Sequence, residues 1–361
     1  MKVGILTFHS VVNYGATLQA YALSQVLTTA GYDVELINYF TDKTANIIRN
    51  YLYRSPYFAF NALKQWKINN FLRTHTKMSD RRYRSGVELK KYAQKFDAII
   101  CGSDEIWNIN LSLQNFDFNY FLEFADRDVY RISYGVSFGS TTDLGEHQSK
   151  ISNLLKYFDA LSVRDTNSIN IVRDCQSAAV KVLDPTFLCT YTDIISPPIH
   201  QKYILVYAHL SAAEQLFVRK MATYYGLSII AVGYPCKIAD VNQIAVSPSQ
   251  WLGYFANATY VVSDFYHGLI FAIIFRKPFS VYLRDSKSNK IADLLQDLGA
   301  TDRILLPAQM SDESQQMELI KKHDLMETNL NYAKLDEKID ESGQYLATAL
   351  KMANVREIIK K

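Results

Sequence analysis

Only four cysteines stand in the 361 residues, Cys101, Cys175, Cys189 and Cys236, and none forms a C-x-x-C pair. That spacing argues against a zinc ribbon or a dithiol redox motif, and a reducing cytoplasm is the natural setting for such a chain. No apolar run approaches the roughly 20 residues that a bilayer-crossing helix needs. The N-terminus carries only Lys2 ahead of Val3-Gly4-Ile5-Leu6-Thr7-Phe8, then turns polar at His9, Ser10 and Asn13. This reads as a buried first strand and not as a signal peptide. Also missing are G-x-G-x-x-G after the first strand, a Walker loop, G-x-S-x-G and H-E-x-x-H. Dinucleotide redox chemistry, NTP hydrolysis, α/β-hydrolase chemistry and zinc proteolysis are disfavoured accordingly. No metal-ligand cluster is visible, and neither a metal nor a cofactor is expected.

What is present suits a globular chain: 48% hydrophobic and 21% charged residues, over a length that favours two domains of about 150 residues each. The 25 tyrosines and 19 phenylalanines either fill cores or stack on sugar rings and line interfaces. Charge is informative once divided. Residues 43–95 hold thirteen Lys and Arg against Asp80 and Glu88, a net +11, so the rest of this +3 chain carries −8. Aromatics interleave with that basic stretch: Tyr51, Tyr53, Tyr57, Phe58, Phe60, Trp66, Phe71, Tyr83 and Tyr92. Two readings stand side by side, a surface for anionic lipid or phosphate-bearing substrate, and a solvated helical face with snorkelling stems. No nucleic-acid-binding module accompanies the charge, so no nucleic acid partner is expected.

Short β-branched runs alternate with helical stretches, which is the rhythm of parallel sheets with crossover helices. Strands are expected at 3–8, 33–40, 96–101, 130–136, 159–163 and 180–183, with a helix at 16–30. After Ile194-Ile195-Ser196-Pro197-Pro198, where paired prolines stop both helix and sheet, the rhythm restarts. Strands at 203–208, 227–232, 260–263 and 278–283 then alternate with helices at 212–225, 247–257, 268–275 and 288–298. The expected fold class is α/β, two Rossmann-like domains with a central cleft. The N-terminal domain would span 1–195, with a basic helical insertion near 43–95, and the second 199–300. Helices would fill 301–361.

Ligands of open parallel sheets bind where strands end and helices begin. After the first strand come Asn13, Tyr14 and Gly15; after 96–101 come Ser103, Asp104 and Glu105; after 159–163 comes Arg164. In the second half the same edge carries His209, Asp264 to Gly268, and Arg284. His267 is the sharpest of these, because a histidine at a strand-to-helix turn can donate a proton or steady developing charge. Free N–H groups at that helix start favour an anion, and Gly268 would admit a ligand close to the backbone. A histidine merely hydrogen-bonded within its turn is the plain alternative. Arg164 reads as a carboxylate or phosphate grip, or as a salt bridge. Asp104 and Glu105 read as a base, or as caps of the next turn, and Asn13 as a helix N-cap. His209 and Arg284 qualify by position.

Six segments in order resemble the polysaccharide pyruvyl transferase family. They are Asn13-Tyr14-Gly15-Ala16 with the helix after it, Gly102-Ser103-Asp104-Glu105-Ile106-Trp107-Asn108, and Tyr134-Gly135-Val136-Ser137-Phe138-Gly139. Leu161-Ser162-Val163-Arg164-Asp165, Val182-Leu183-Asp184-Pro185-Thr186, and Ser263 to Gly268 leading into Lys277-Pro278-Phe279 follow. The resemblance implies transfer of a pyruvyl group from phosphoenolpyruvate to a sugar of a surface polysaccharide or lipid-linked glycan. A cyclic ketal forms and phosphate leaves, in the cytoplasm or at the inner face of its membrane. It also implies that His267 is the catalytic histidine and Arg164 a donor-binding arginine, with Asp104 or Glu105 as base. Where some relatives read Arg-Leu-His, this chain has Phe265-Tyr266-His267; one anion contact must then come from elsewhere, with Arg284 the candidate. The alternatives are a GT-B-type glycosyltransferase using a nucleotide-sugar, and a non-catalytic glycan-binding relative.

Overall fold

The computed structural model describes residues 1–111, 116–198, 202–284, 288–306, 313–322 and 330–360. The chain opens with β1 (Lys2–Leu6), α1 (Tyr14–Thr29) and β2 (Asp33–Leu36). Asn13 starts α1 by accepting from the backbone N–H groups of Gly15 (2.8 Å) and Ala16 (3.3 Å), as a capping asparagine does. Gly31, at φ +88°, makes the turn into β2. Strand β2 stops short of the expected residue 40. Ile37 N–H makes a last bond to Ile5 O of β1 (2.8 Å), and the chain then follows residues 77–83 through Leu36–Met78 and Tyr39–Tyr83 bridges.

The basic stretch forms α2 (Asp42–Arg54), α3 (Phe58–His75) and α4 (Gly86–Ala93). After it come β3 (Ala98–Cys101), β4 (Tyr130–Ser133), α5 (Gln148–Leu155), β5 (Ser162–Val163), α6 (Thr166–Asp174) and β6 (Val180–Lys181). The first sheet is parallel, in the order β2-β1-β3-β4. Strands β5 and β6 pair with each other beside it, and the Ile132–Ala160 and Val136–Val163 bridges join them to the β4 side. Ala98 to Cys101 are buried without alternation, as befits a strand covered on both faces.

A second parallel sheet has six strands, β12-β11-β10-β7-β8-β9. Its elements in chain order are β7 (Tyr203–Tyr207), α7 (Ala212–Tyr225), β8 (Ser228–Val232), β9 (Val241–Gln243), α8 (Pro248–Asn257), β10 (Tyr260–Ser263) and α9 (Tyr266–Ile274). Then follow β11 (Phe279–Tyr282), α10 (Ser288–Asp297), β12 (Ile304–Leu305) and α11 (Glu313–Lys322). Capping boxes begin α7 (Ser211 with Glu214) and α8 (Ser247 with Gln250, and Pro248 in the first turn). The chain closes with the long α12 (Tyr332–Lys360).

Both sheets are thus Rossmann-like, and the chain divides into two compact units. Unit 1 holds residues 1–58, 68–189 and 333–361; unit 2 holds 59–67 and 190–332. This differs from the sequence reading, which kept 59–67 within the first domain and set 301–361 apart. The reasons are specific bonds. Lys64 Nζ donates to Gly233 O (2.8 Å) and Lys67 Nζ to Ala245 O (2.7 Å), tying 59–67 to unit 2. In unit 1, Leu183 N donates to Ser342 Oγ (2.9 Å) and Tyr345 OH to Ser133 O (3.0 Å), which fixes α12 there. No helix among the described residues is long and apolar enough to cross a membrane.

Candidate active site

In unit 1 the polar residues gather at the carboxyl ends of the strands. Gly102, at φ +114°, turns the chain after β3 so tightly that a Cβ there would lie 2.2 Å from Tyr134 O. Ser103 follows, buried, with its N–H donating to Gln19 Oε1 (3.1 Å) and its hydroxyl to Gly135 O (2.8 Å) and Asp184 Oδ2 (3.3 Å). Gln19, on α1, returns donors to Thr7 Oγ1, Phe8 O and Ala16 O. Ser103 is therefore part of a buried polar seam.

Arg164 leaves the end of β5 with a fully buried side chain. Its Nη1 meets Asp184 Oδ2 at 2.8 Å and its Nη2 meets Asp104 Oδ1 at 3.1 Å. The guanidinium is thus embedded between two carboxylates. Asp184, read from sequence as a turn residue, does hold the Pro185 turn by accepting from the Thr186 N–H and hydroxyl. It is also the second partner of Arg164, which sequence reasoning missed.

Asp104 has the left-handed backbone of φ +77°, a conformation costly for most residues and tolerated by Asp. Its Oδ1 takes the Glu105 N–H (2.9 Å) along with Arg164. Its Oδ2 has no hydrogen-bond partner among the described residues, and its side chain is 15% exposed. Asp104 is a fixed carboxylate with one oxygen turned to use. Glu105 Oε2 accepts from Asn108 Nδ2 (3.0 Å). Asn13 is half-buried as the cap of α1, while Tyr14 and Gly15 are buried within the helix. Trp107 is buried against Phe121 and donates Nε1–H to Tyr120 O (3.0 Å).

In unit 2, His267 lies in the first turn of α9, just past the end of β10, and is 8% exposed. Its ring meets that of Tyr266 edge-on at 5.6 Å. The N-cap residue is Phe265, which offers no side-chain oxygen to the first-turn N–H groups. Phe265 stacks flat on Tyr234 (5.1 Å, 9°) beside His209, whose ring is 4.4 Å from Tyr234 and 5.2 Å from Phe265. Phe265 is thus one member of an aromatic group. The close approach permitted by Gly268 is internal: a Cβ there would lie 2.1 Å from Ser263 Oγ and 3.0 Å from the Tyr207 ring. The glycine lets α9 settle on its own sheet.

Arg284, after β11, is held by its neighbours. Nη1 and Nη2 grip Glu214 bidentately at 2.8 Å each, Nε meets Asp264 Oδ2 (3.2 Å), and Nη2 also donates to His209 O (2.7 Å). The Glu214 hydrogen bonds raise the guanidinium's pKa further. Burial alone would raise the Glu214 carboxyl, but the Arg284 and Ser211 hydrogen bonds bring it below its usual value. Such fork-to-carboxylate pairing gives Arg284 the task of fixing the loop that carries Asp264. Glu214 escaped notice because its sequence signal is that of a capping box, which it also satisfies.

Lys64 is the second residue missed. It belongs to the basic stretch, yet it is buried, 4.7 Å over the Tyr234 ring as well as bonded to Gly233 O. Burial lowers its pKa to about 8. Among the described residues no group of three or more His, Cys, Asp or Glu side chains is placed to hold a metal.

Two Rossmann-like units in one chain define a GT-B fold. Solved structures agree at the level of fold. UDP-GlcNAc 2-epimerase from Methanocaldococcus jannaschii superposes with a TM-score of 0.54 at 12% identity, covering 98% of this chain and 100% of that one. A putative UDP-N-acetylglucosamine 2-epimerase from Listeria monocytogenes gives 0.51 at 10%, covering 95% and 90%. The corresponding epimerase of Rickettsia bellii gives 0.50 at 11%, covering 98% and 97%. No curated protein matches the sequence. The family sequence model for polysaccharide pyruvyl transferase, however, matches residues 13–286. The chain belongs to that family.

Proposed function

We propose that the chain moves the pyruvyl group of phosphoenolpyruvate onto two hydroxyls of one sugar in a surface polysaccharide or lipid-linked glycan. The observation that carries this reading is His267 in the first turn of α9, at the end of β10 and inside the matched span 13–286. A proton delivered to the methylene carbon of the enol phosphate makes an oxocarbenium-like centre. One sugar hydroxyl adds to that centre and loses its proton; the second displaces phosphate, loses its proton and closes the ketal. His267 acts on the donor as the acid, with the α9 N-terminus receiving phosphate, since Phe265 brings no capping oxygen into competition. Within unit 1, Asp104 has its Oδ1 fixed by Arg164 and its Oδ2 available, as a base toward a sugar hydroxyl requires. Arg164 is a positioning residue in this scheme, and Arg284 holds the loop bearing Asp264.

A second reading, a glycosyltransferase taking a nucleotide-sugar, draws on the flat Tyr234–Phe265 pair, whose faces suit a planar base. Acceptor-dependent phosphate release separates the readings. With phosphoenolpyruvate as donor, turnover is expected, and His267→Ala should lower kcat by at least about 100-fold. Undiminished turnover in His267→Ala would remove the histidine from the mechanism. Binding of a UDP-sugar without binding of phosphoenolpyruvate would select the glycosyltransferase; glycan binding with neither donor would select a non-catalytic relative.

A further inference from the structure

The structure pairs much of the basic charge of residues 43–95 with acidic side chains. Lys77 pairs with Asp33 (2.6 Å), Arg82 and Arg84 with Asp42, Lys90 with Asp126 (3.5 Å) and Lys95 with Glu35 (3.0 Å). Lys64 is buried, and Lys67 is bound to a carbonyl. Lys43, Arg49 and Arg54, all on α2, are instead exposed and form no ion pair with a described residue. No Asp or Glu occurs anywhere from residue 43 to residue 79.

The apolar side chains of this stretch behave in the opposite way to those of a core. Tyr53, Tyr57, Phe58, Phe60, Leu63 and Trp66 are each between 39% and 66% exposed. On α3, Phe60, Leu63 and Trp66 recur at three-residue spacing and share one face, while Asn61, Lys64 and Ile68 are buried. Tyr53 and Phe58 stack at 5.2 Å (21°) across the turn between α2 and α3, so the turn presents a ready aromatic surface. A helical corner with exposed aromatic and leucine side chains, exposed basic residues on the helix before it and no acidic residue from 43 to 79 matches the interfacial zone of an anionic bilayer.

We propose that this corner, from Tyr53 to Trp66, docks the protein on a bilayer carrying anionic lipid, the aromatics entering the headgroup layer and Arg49 and Arg54 attracting the anionic headgroups. The surface would bring the enzyme to a lipid-linked acceptor, so its purpose rests on the function proposed above, though the docking itself is testable without turnover.

Trp66 supplies the readout. Trp107 and Trp251 are fully buried and Trp66 is 62% exposed, so vesicle-induced changes in tryptophan emission report on the corner. Phosphatidylglycerol-containing vesicles should shift the emission of the intact chain to the blue and co-sediment with it, both effects weakening as salt rises. Phosphatidylcholine vesicles should do so far less. Tyr57→Ser/Phe60→Ser/Trp66→Ser should lower co-sedimentation at least about tenfold, and Arg49→Gln/Arg54→Gln should lose about tenfold or more of the preference for anionic lipid. Phosphate release with a soluble acceptor should be unchanged in both variants, and its absence in the intact chain would count against the reaction and not the surface. Unaltered Trp66 emission with anionic vesicles overturns the proposal. Concentration-dependent self-association without lipid, abolished by the triple substitution, overturns it too by assigning the corner to a second copy.

Discussion

A guanidinium sealed between Asp184 and Asp104 has no solvent to replace a lost partner. Arg164→Met should therefore cost about 3–5 kcal/mol, the penalty of leaving buried carboxylates uncompensated, measurable as a fall in the urea midpoint. Adding Asp184→Asn should recover part of the loss, whereas simple disruption of packing would not respond. Gly268 presents the opposite case, a place where any added atom is too many. Gly268→Ala would press a methyl against Ser263 Oγ, and should cost about 1–3 kcal/mol by overpacking. Pairing it with Ser263→Gly removes the obstructing hydroxyl, so the double variant should unfold later than Gly268→Ala alone. If both glycine-site variants match the wild type in stability, the close helix-to-strand packing assigned here is wrong.

At the scale of the element, α3 carries a buried lysine. Lys64 has its pKa lowered by burial to about 8 in the fold, against 10.5 for an ordinary lysine. Between those values the unfolded chain binds the extra proton, so stability should rise as pH climbs from about 8 to 10.5 and level off above. Lys64→Met should flatten that rise in denaturation midpoints taken across the window; an unchanged slope would place the effect in another group. The sequence pointed to most elements of this kind of fold where apolar runs were long and bounded, as at Ala98–Cys101 or Tyr203–Tyr207. Edge strands β9 and β12 escaped because Val241-Asn242-Gln243 and Ile304-Leu305 are too short, or too polar, to show a period. The strand-end positions of His267 and Asp104 were legible from punctuation alone. Partnerships were not: Glu214 and Arg284 lie 70 positions apart, and nothing local in either segment announces the other. The burial of Lys64 was hidden for the same reason, since its stretch reads as uniformly solvated.

For the whole molecule, the division of the chain matters more than its length. Unit 1 is assembled from three separate segments, the last beginning at Ala333. Ending the chain after Asn331 would remove Ser342 and Tyr345, taking the Ser342 acceptor from Leu183 N–H and one donor from Ser133 O, which keeps the Ser162 hydroxyl. Hydrogen exchange should then quicken around β4 to β6, 159 positions away at Leu183 and 212 at Ser133, while the strands of unit 2 keep their protection. Equal loosening of both units would contradict that assignment. The same arrangement has a consequence for synthesis. A ribosome delivers residues 59–67 and 190–332 before it delivers α12, so the unit that starts later along the chain has all its parts first. The nascent chain must therefore carry the first sheet, its strands all made by Lys181, through the synthesis of the whole second unit before α12 can bond to Leu183 and Ser133.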